Sequence, residues 1–359
     1  MSAPVSLAEY TTLRIGGPAA NTEVLTTENE LVAFADEFRL QEGPALLIGG
    51  GSNLVLADDG FAGPVGIIRT EGVQLERGRG AARVTAHAGE DWDSFVAWTI
   101  EQGLTGLEPL SGIPGSVGAT PIQNVGAYGA EVASTIESVF LFDREFGRTH
   151  IVRKAELEFG YRTSVLKRTA QHHGQPRYVV LSVTFSLPKA GDAGSAVPIK
   201  YAQLANALGV EVGGTASPTA VREAVLELRR SKGMVLDPSD HDTWSAGSFF
   251  TNPILDVEQV PLPEGAPRYA VVDPSTGRDD PSAVKTSAAW LIEQAGFAKG
   301  FKLDGSNAAL SGKHTLALTN RGGAQAQEII ELARHIRDGV QSRFGITLVP
   351  EPNLVGLEL

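Results

Sequence analysis

The sequence contains no cysteine, which excludes disulfides, thiolate zinc sites and thiol nucleophiles before any motif is read. It also lacks excess positive charge. Thirty Lys and Arg stand against 42 Asp and Glu, for a formal charge of −12, so the chain presents no general surface for phosphate backbones or anionic membranes. An anionic ligand would need a local basic pocket. No apolar run reaches the length of a membrane span, and the first twenty residues lack the basic region and apolar stretch of a secretory signal. A cytoplasmic protein without nucleic acid or membrane insertion is expected. The seven histidines show no ligand spacing, and no metal is expected.

Two nucleotide-binding fingerprints are missing as well. No G-x-x-x-x-G-K-[ST] occurs, and no G-x-G-x-x-G opens a helix after a strand. A P-loop and a standard Rossmann domain are therefore excluded.

What the chain does have is glycine, concentrated in residues 103–129, GLTGLEPLSGIPGSVGATPIQNVGAYG, at Gly103, Gly106, Gly112, Gly115, Gly118, Gly126 and Gly129. Glycine gains only positive φ or close approach for its entropic cost, so such a density implies backbone wrapped round something large. A flexible linker would be featureless. Here Ile113, Val117, Ile122, Val125 and Tyr128 interrupt the glycines and can anchor the loop in a core. The segment has no lysine or arginine, so a phosphate held here would be held by backbone N–H groups. A second cluster, GGGSNLVL at 49–56, follows a short apolar strand at 44–48 and makes a strand, a tight polar turn and a strand.

A chain of 359 residues is expected to form two or three domains. Thr27 and Glu30 form a capping box for a helix over 27–41, whose buried stripe is Leu31, Phe34, Ala35 and Phe38 and whose stop is Gly43. Strands are expected at 65–68, 83–88, 136–143 and 178–187, with a helix carrying Trp92, Phe95, Val96 and Thr99 between the second and third. The segment 188–198 reads as a linker. A helix begins at Ser217-Pro218, buries Val221, Ala224, Val225 and Leu228, and ends in Arg229, Arg230 and Lys232, which suit its dipole. Beyond it, 256–280 reads as loop-rich. Helices are expected within 285–296 and 323–344, and a strand at 346–349 would put Glu351 at its end.

The glycine motifs, followed in order by GYRTS at 160–164, GSFFTNP at 247–253 and EPN at 351–353, resemble the UDP-N-acetylenolpyruvoylglucosamine reductase (MurB) family, in its long form with a mobile tyrosine segment. The resemblance runs from about residue 11 to residue 355. It implies an α+β fold: a two-subdomain FAD-binding module of the vanillyl-alcohol oxidase / p-cresol methylhydroxylase type, with a C-terminal α/β substrate domain. The implied boundaries are 1–70 and 71–200 for the FAD subdomains, 201–345 for the substrate domain, and 346–359 for a segment returning to the active site.

The activity implied is that of an NADPH-dependent UDP-N-acetylmuramate dehydrogenase of peptidoglycan precursor synthesis. FAD is bound without a covalent link, NADPH is the hydride donor, and the nucleotide-sugar substrate receives hydride at C3 of its enolpyruvyl group. A monomer is expected. Cofactor contacts are carried over to Gly49, Gly50, Gly51, Ser52, Asn53 and Leu54, and to Ser111, Gly112, Pro114, Gly115, Gly118, Ala119, Gln123, Asn124, Gly126 and Tyr128. By the same resemblance Ser248 gives the proton to C2, Arg162 polarises the enolpyruvyl carboxylate, and Glu351 completes the catalytic set. Tyr201, Lys232, Asn252 and Lys285 are assigned to the diphosphate, and Tyr269 to the uridine side.

The residues themselves leave alternatives. Without the resemblance, Ser248 reads better as a turn-capping serine, and the missing nucleophile elbow discounts a hydrolase role. Arg162 offers a planar fork for a carboxylate or sits at the surface. His314 reads as structural or as a ligand contact, and Arg14 as a phosphate contact or a solvated cation. Thr251 stands where the family often has a basic residue, and the acidic run 237–242 has no assigned role. Competing readings are a flavin enzyme of the same fold with another substrate, and a non-redox nucleotide-sugar binder. Without a dinucleotide domain of its own, NADPH would approach the flavin transiently, which implies ping-pong kinetics.

Overall fold

The computed structural model describes residues 4–39, 43–171, 175–191, 198–258, 262–272 and 278–359. Residues 40–41, most of the 188–198 linker, and His172 and His173 lie outside them; the first helix, expected to reach 41, already ends at Glu37 with Phe38 as its cap. The chain divides into two compact units. The first holds residues 19–50 and 62–231, and the second 4–18, 51–61 and 232–359.

Beside two short two-stranded pairs, the first unit contains two larger sheets among its described residues. Thr22–Leu25, Val65–Ile68 and Leu46–Ile48 form a parallel sheet with Val65–Ile68 in the centre. The central strand is an almost wholly buried apolar run, whereas Thr22–Leu25 is an edge strand that leaves Glu23 and Val24 exposed. The helix Glu28–Glu37 has the expected capping box, with Thr27 accepting from Glu30 N–H and the Glu30 side chain returning to the Thr27 backbone. Its Leu31, Phe34 and Ala35 join Leu25, Phe142 and Leu181 in one apolar cluster.

The second sheet is antiparallel, in the order Arg148–Arg153, Ile136–Asp143, Tyr178–Pro188, Ala81–His87, Val73–Arg77. Its inner face packs on Trp92, Phe95 and Val96 of the helix Trp92–Glu101, capped by Asp91 through Ser94 N–H. Phe185 lies 5.2 Å from Phe95, ring centre to ring centre. The glycine loop closes over the same core, with Leu104, Leu107, Leu110, Val117 and Val132 all buried. The helices Ala202–Leu208 and Pro218–Ser231 complete the unit through a small cluster of Ile199, Leu204, Ala205, Val221 and Val225.

In the second unit the helices Ala288–Gln294 and Ala326–Phe344 share a core with Phe249, Phe250, Leu310 and Leu318. The stretch 256–280, expected as loop-rich, also contributes Tyr269–Val272 and the start of Asp279–Lys285 to a three-stranded antiparallel sheet with Ile254–Asp256. Lys285 ends that strand, and the helix expected within 285–296 follows as Ala288–Gln294. Strand propensity was hidden there because Asp279, Asp280 and Pro281 disfavour strands when read alone. The expected strand at 346–349 is also corrected. Ile346 and Leu348 are buried without regular pairing, and the strand is Asn353–Val355, parallel to Leu54–Leu56. Glu351 precedes a strand instead of ending one.

Candidate active site

The two glycine turns come together backbone to backbone in the first unit. A Cβ placed on Gly50 would lie 2.4 Å from Gly115 Cα, and one on Gly49 would lie 2.5 Å from Ser116 Oγ. The first contact, with backbone, admits glycine alone, whereas rotation of the Ser116 hydroxyl would relieve the second. With no cation in either turn, a dinucleotide diphosphate laid across them would have to be held by peptide N–H groups. The loop is braced from inside by Glu108, fully buried, which accepts from Thr105 Oγ1 and from Gly106 N–H. Ser111, also buried, donates to the Glu108 carbonyl at 2.7 Å.

Asn124 links this loop to the GYRTS turn. It sits at φ 48°, donates to Glu131 at 2.8 Å and to the Gly160 carbonyl at 3.1 Å, and accepts from Ala133 N–H at 3.1 Å. Ser164 donates to the Ile122 carbonyl at 2.6 Å, and Lys167 reaches Gln123 Oε1 at 3.4 Å. Gly160 and Thr163 close a tight turn on each other, with Arg162 at its tip at φ 53°. The Arg162 guanidinium donates to the Gly126 carbonyl at 3.1 Å. A non-glycine residue held at positive φ is strained, and such strain gathers where a side chain must be aimed.

The sequence reading missed a polar group behind this turn. Asp93, on the helix Trp92–Glu101, accepts from Gly112 N–H at 2.6 Å and from both terminal nitrogens of Arg222 at 2.5 and 2.8 Å. Burial alone would raise its carboxyl, but the Arg222 fork and the Gly112 bond outweigh that and hold it below the usual range. Arg229, read from sequence as a dipole cation, has its Nε buried. Burial pulls its guanidinium down to about 10, while the facing Tyr128 and Asp93 act the other way and Arg162 adds repulsion. A signal was present: Arg222 and Arg229 stand seven residues apart, on one helix face beside the buried Val221 and Val225.

The second unit carries the other catalytic candidates. Phe249 and Phe250 are each 1% exposed and fix the backbone on either side of Ser248 and Thr251. Phe249 N–H donates to the Leu316 carbonyl at 2.7 Å, Glu351 N–H to the Phe249 carbonyl at 2.8 Å, and Thr251 N–H to the Val349 carbonyl at 3.0 Å. The Asn53 amide reaches the Glu351 carbonyl at 3.4 Å, and Asn353 N–H donates to the Asn53 carbonyl at 3.0 Å. Ser248, Glu351 and Asn53 are thus built on adjoining segments.

Asn252 accepts from Ala288 N–H at 3.0 Å at the start of the helix Ala288–Gln294. Ile254, Lys285 and Tyr269 form one cross-strand row, so two of the assigned substrate contacts share a sheet face. Lys232 follows the helix Pro218–Ser231, and Tyr201 opens Ala202–Leu208. The acidic run gains a role: buried Asp242 accepts from Ser311 Oγ, Gly312 N–H and Arg321, while Asp240 pairs with Lys313. This clamps 311–313 beside the chain that leads into Ser248. Arg14 stacks over Trp244 at 4.7 Å, and His314 N–H donates to Ser311 Oγ at 3.2 Å.

The C-terminal domain model of UDP-N-acetylenolpyruvoylglucosamine reductase matches residues 237–355, and an FAD binding domain model matches residues 21–150. The UDP-N-acetylenolpyruvoylglucosamine reductase of Nocardia farcinica is 53% identical over 357 residues, covering 99% of this chain and 90% of its own. The chain belongs to the UDP-N-acetylenolpyruvoylglucosamine reductase family. A second reductase of this family, from Saccharopolyspora erythraea, is 50% identical over 366 residues, 99% of this chain and 95% of that one. The crystal structure of the MurB reductase from Thermus caldophilus covers 98% of both chains at 25% identity, with a TM-score of 0.65. The family is one of FAD-binding oxidoreductases, and the α+β fold expected from the motifs is the one found. Among the described residues no helix is long and apolar enough to cross a membrane.

Proposed function

We propose that this chain reduces UDP-N-acetylglucosamine enolpyruvate to UDP-N-acetylmuramate with NADPH, as a monomer in the cytoplasm. The observation that carries the reading is the backbone-to-backbone meeting of the two glycine turns, in a chain whose relatives carry the reductase name over nearly their whole length. FAD would be held by the turns at 49–54 and 111–126 and, when bound, would supply the chemistry that carries hydride from NADPH to the enolpyruvyl C3. The protein's own part is placement and electrostatics.

Arg162, aimed from its tight turn, presents a fork to the substrate carboxylate and stabilises the charge that develops as C3 is reduced. Ser248 donates its hydroxyl proton to C2; a serine is a weak acid, and an enolate is basic enough to take that proton. Glu351, fixed by its backbone to Phe249, orients or replenishes the proton at Ser248. Lys232, Asn252, Lys285 and Tyr201 bind the diphosphate, and Tyr269 the uridine side. The division into two FAD subdomains at 1–70 and 71–200, a substrate domain at 201–345 and a returning segment at 346–359 belongs to the same reading.

Anaerobic stopped-flow absorbance tests it. NADPH is expected to bleach the flavin of the purified holoprotein, and the nucleotide-sugar enolpyruvate to restore it. Bleaching without recovery would point to another acceptor, and a colourless protein would remove the redox reading altogether.

A further inference from the structure

Tyr128 occupies a position where its backbone is under strain. Gly126–Ala127 and Ala130–Glu131 pair as a hairpin, and the two residues between them, Tyr128 and Gly129, have φ of 50° and 79°. Two-residue turns of that kind favour Asn-Gly or Gly-Gly, because a bulky side chain at positive φ crowds its own backbone. A tyrosine there needs a compensating use of its ring. The ring meets Tyr201 edge to face, with centres 5.8 Å apart and planes at 86°. Its apolar body also packs on the cluster of Ile199, Leu204, Ala205, Val221 and Val225.

The turn itself touches the same segment, since a Cβ on Gly129 would lie 3.2 Å from Lys200 Cβ and 3.6 Å from Tyr201 Cβ. The phenol end of Tyr128 faces Arg229, and burial raises its hydroxyl above the ordinary tyrosine range against the pull of that arginine. Tyr201 itself is 45% exposed. One side of Tyr201 is therefore seated on Tyr128 while much of it stays open to solvent.

We propose that Tyr128 is a positioning residue for Tyr201: its ring seats the tyrosine at the head of Ala202–Leu208 and so pre-sets the segment that grips the substrate diphosphate. The inference rests on the proposed nucleotide-sugar reductase activity, and it moves Tyr128 from the cofactor side, where the family resemblance placed it, to the substrate side. Strain at Tyr128 is then the cost of coupling the glycine loop to that segment.

The test compares Tyr128→Asn and Tyr128→Phe with the wild-type holoenzyme in steady-state kinetics, FAD stoichiometry and thermal melts. Asparagine suits the turn, so Tyr128→Asn is expected to melt at or above the wild-type temperature and to keep one FAD per chain. Its KM for the nucleotide sugar is expected to rise on the order of 3- to 10-fold, the range of an aromatic pair, with kcat and the KM for NADPH moving less. Tyr128→Phe, which keeps the ring, is expected to restore the sugar KM. An unchanged sugar KM in Tyr128→Asn overturns the proposal, and so does loss of FAD from that variant, which would return Tyr128 to the cofactor. Failure of the phenylalanine rescue also overturns the ring-seating role. A wild-type protein that does not turn over the nucleotide sugar removes the proposed function and this inference together.

Discussion

The backbone N–H of Glu351 donates to the carbonyl of Phe249 at 2.8 Å, one residue beyond Ser248. This ties the C-terminal motif to the serine motif through main chain, so the bond survives any change of the Glu351 side chain. Glu351→Gln is therefore expected to unfold within about 0.5 kcal/mol of the wild type. Its turnover is expected to fall by about 10² or more. Parallel denaturation and steady-state assays check the pair; a large stability loss would make Glu351 a structural residue.

Ser248 is held between a glycine at φ 75° and two buried phenylalanines. Removing its hydroxyl should leave that frame intact. Ser248→Ala is expected to be reduced by NADPH at close to the normal rate and to be reoxidised by substrate ~10²–10⁴ more slowly, the usual worth of a general acid. Equal slowing of both half-reactions in stopped flow would argue against a proton-donor role.

Gly50 has no room for a methyl group, since a Cβ added there would lie 2.4 Å from Gly115 Cα. Gly50→Ala must push the two turns apart. The expected outcome is a protein that folds but is purified with substoichiometric FAD, read from the ratio of flavin to protein absorbance. Full occupancy would show that the turns can part without cost to the cofactor.

Asp93 is held below the usual carboxyl range, with the Arg222 fork and Gly112 N–H outweighing burial. Its stabilising contribution is therefore complete above the unfolded carboxyl value of about 3.9 and is lost as pH falls through the lower folded value. Asp93→Asn is expected to cost about 1–2 kcal/mol at pH 7, discounted because the side chain is 35% exposed. The gap between the two proteins should stay level down to about pH 5 and narrow below about pH 4. Urea midpoints across that range give the measurement.

Asp242 accepts from Ser311, Gly312 and Arg321 while only 9% exposed. Truncation leaves three donors without their shared acceptor. Asp242→Ala is expected to destabilise the protein by roughly 3 kcal/mol, seen as a lower urea midpoint. A loss below about 0.5 kcal/mol, the surface range, would show that the acidic run is dispensable.

The fold's local elements were legible where one physical signal dominated. The Thr27 capping box, the stripe of Trp92, Phe95 and Val96, and the β-branched runs at 136–143 and 178–187 needed no partner to be read. The sheet through Asp279–Lys285 was not legible, because its acidic residues and proline pair only in the context of Ile254–Asp256 and Tyr269–Val272. The strand after Glu351 was misplaced for a similar reason: Asn353–Val355 becomes a strand by pairing with Leu54–Leu56, some three hundred residues earlier.

The same divide runs through the candidate site. The sequence by itself determined that no thiol, P-loop or Rossmann chemistry was available, that the glycine segments must carry backbone contacts, and that Ser248, Arg162 and Glu351 stood in a recognisable order of motifs. Those are matters of residue type and spacing. Only the tertiary structure decided that Arg229, in the last turn of its helix as expected, is also shielded by burial, that Asp93 braces the glycine loop, and that Tyr128 meets Tyr201 edge to face. Each depends on which face of one element meets another. Burial and pairing of that kind are properties of packed surfaces, which no local pattern encodes.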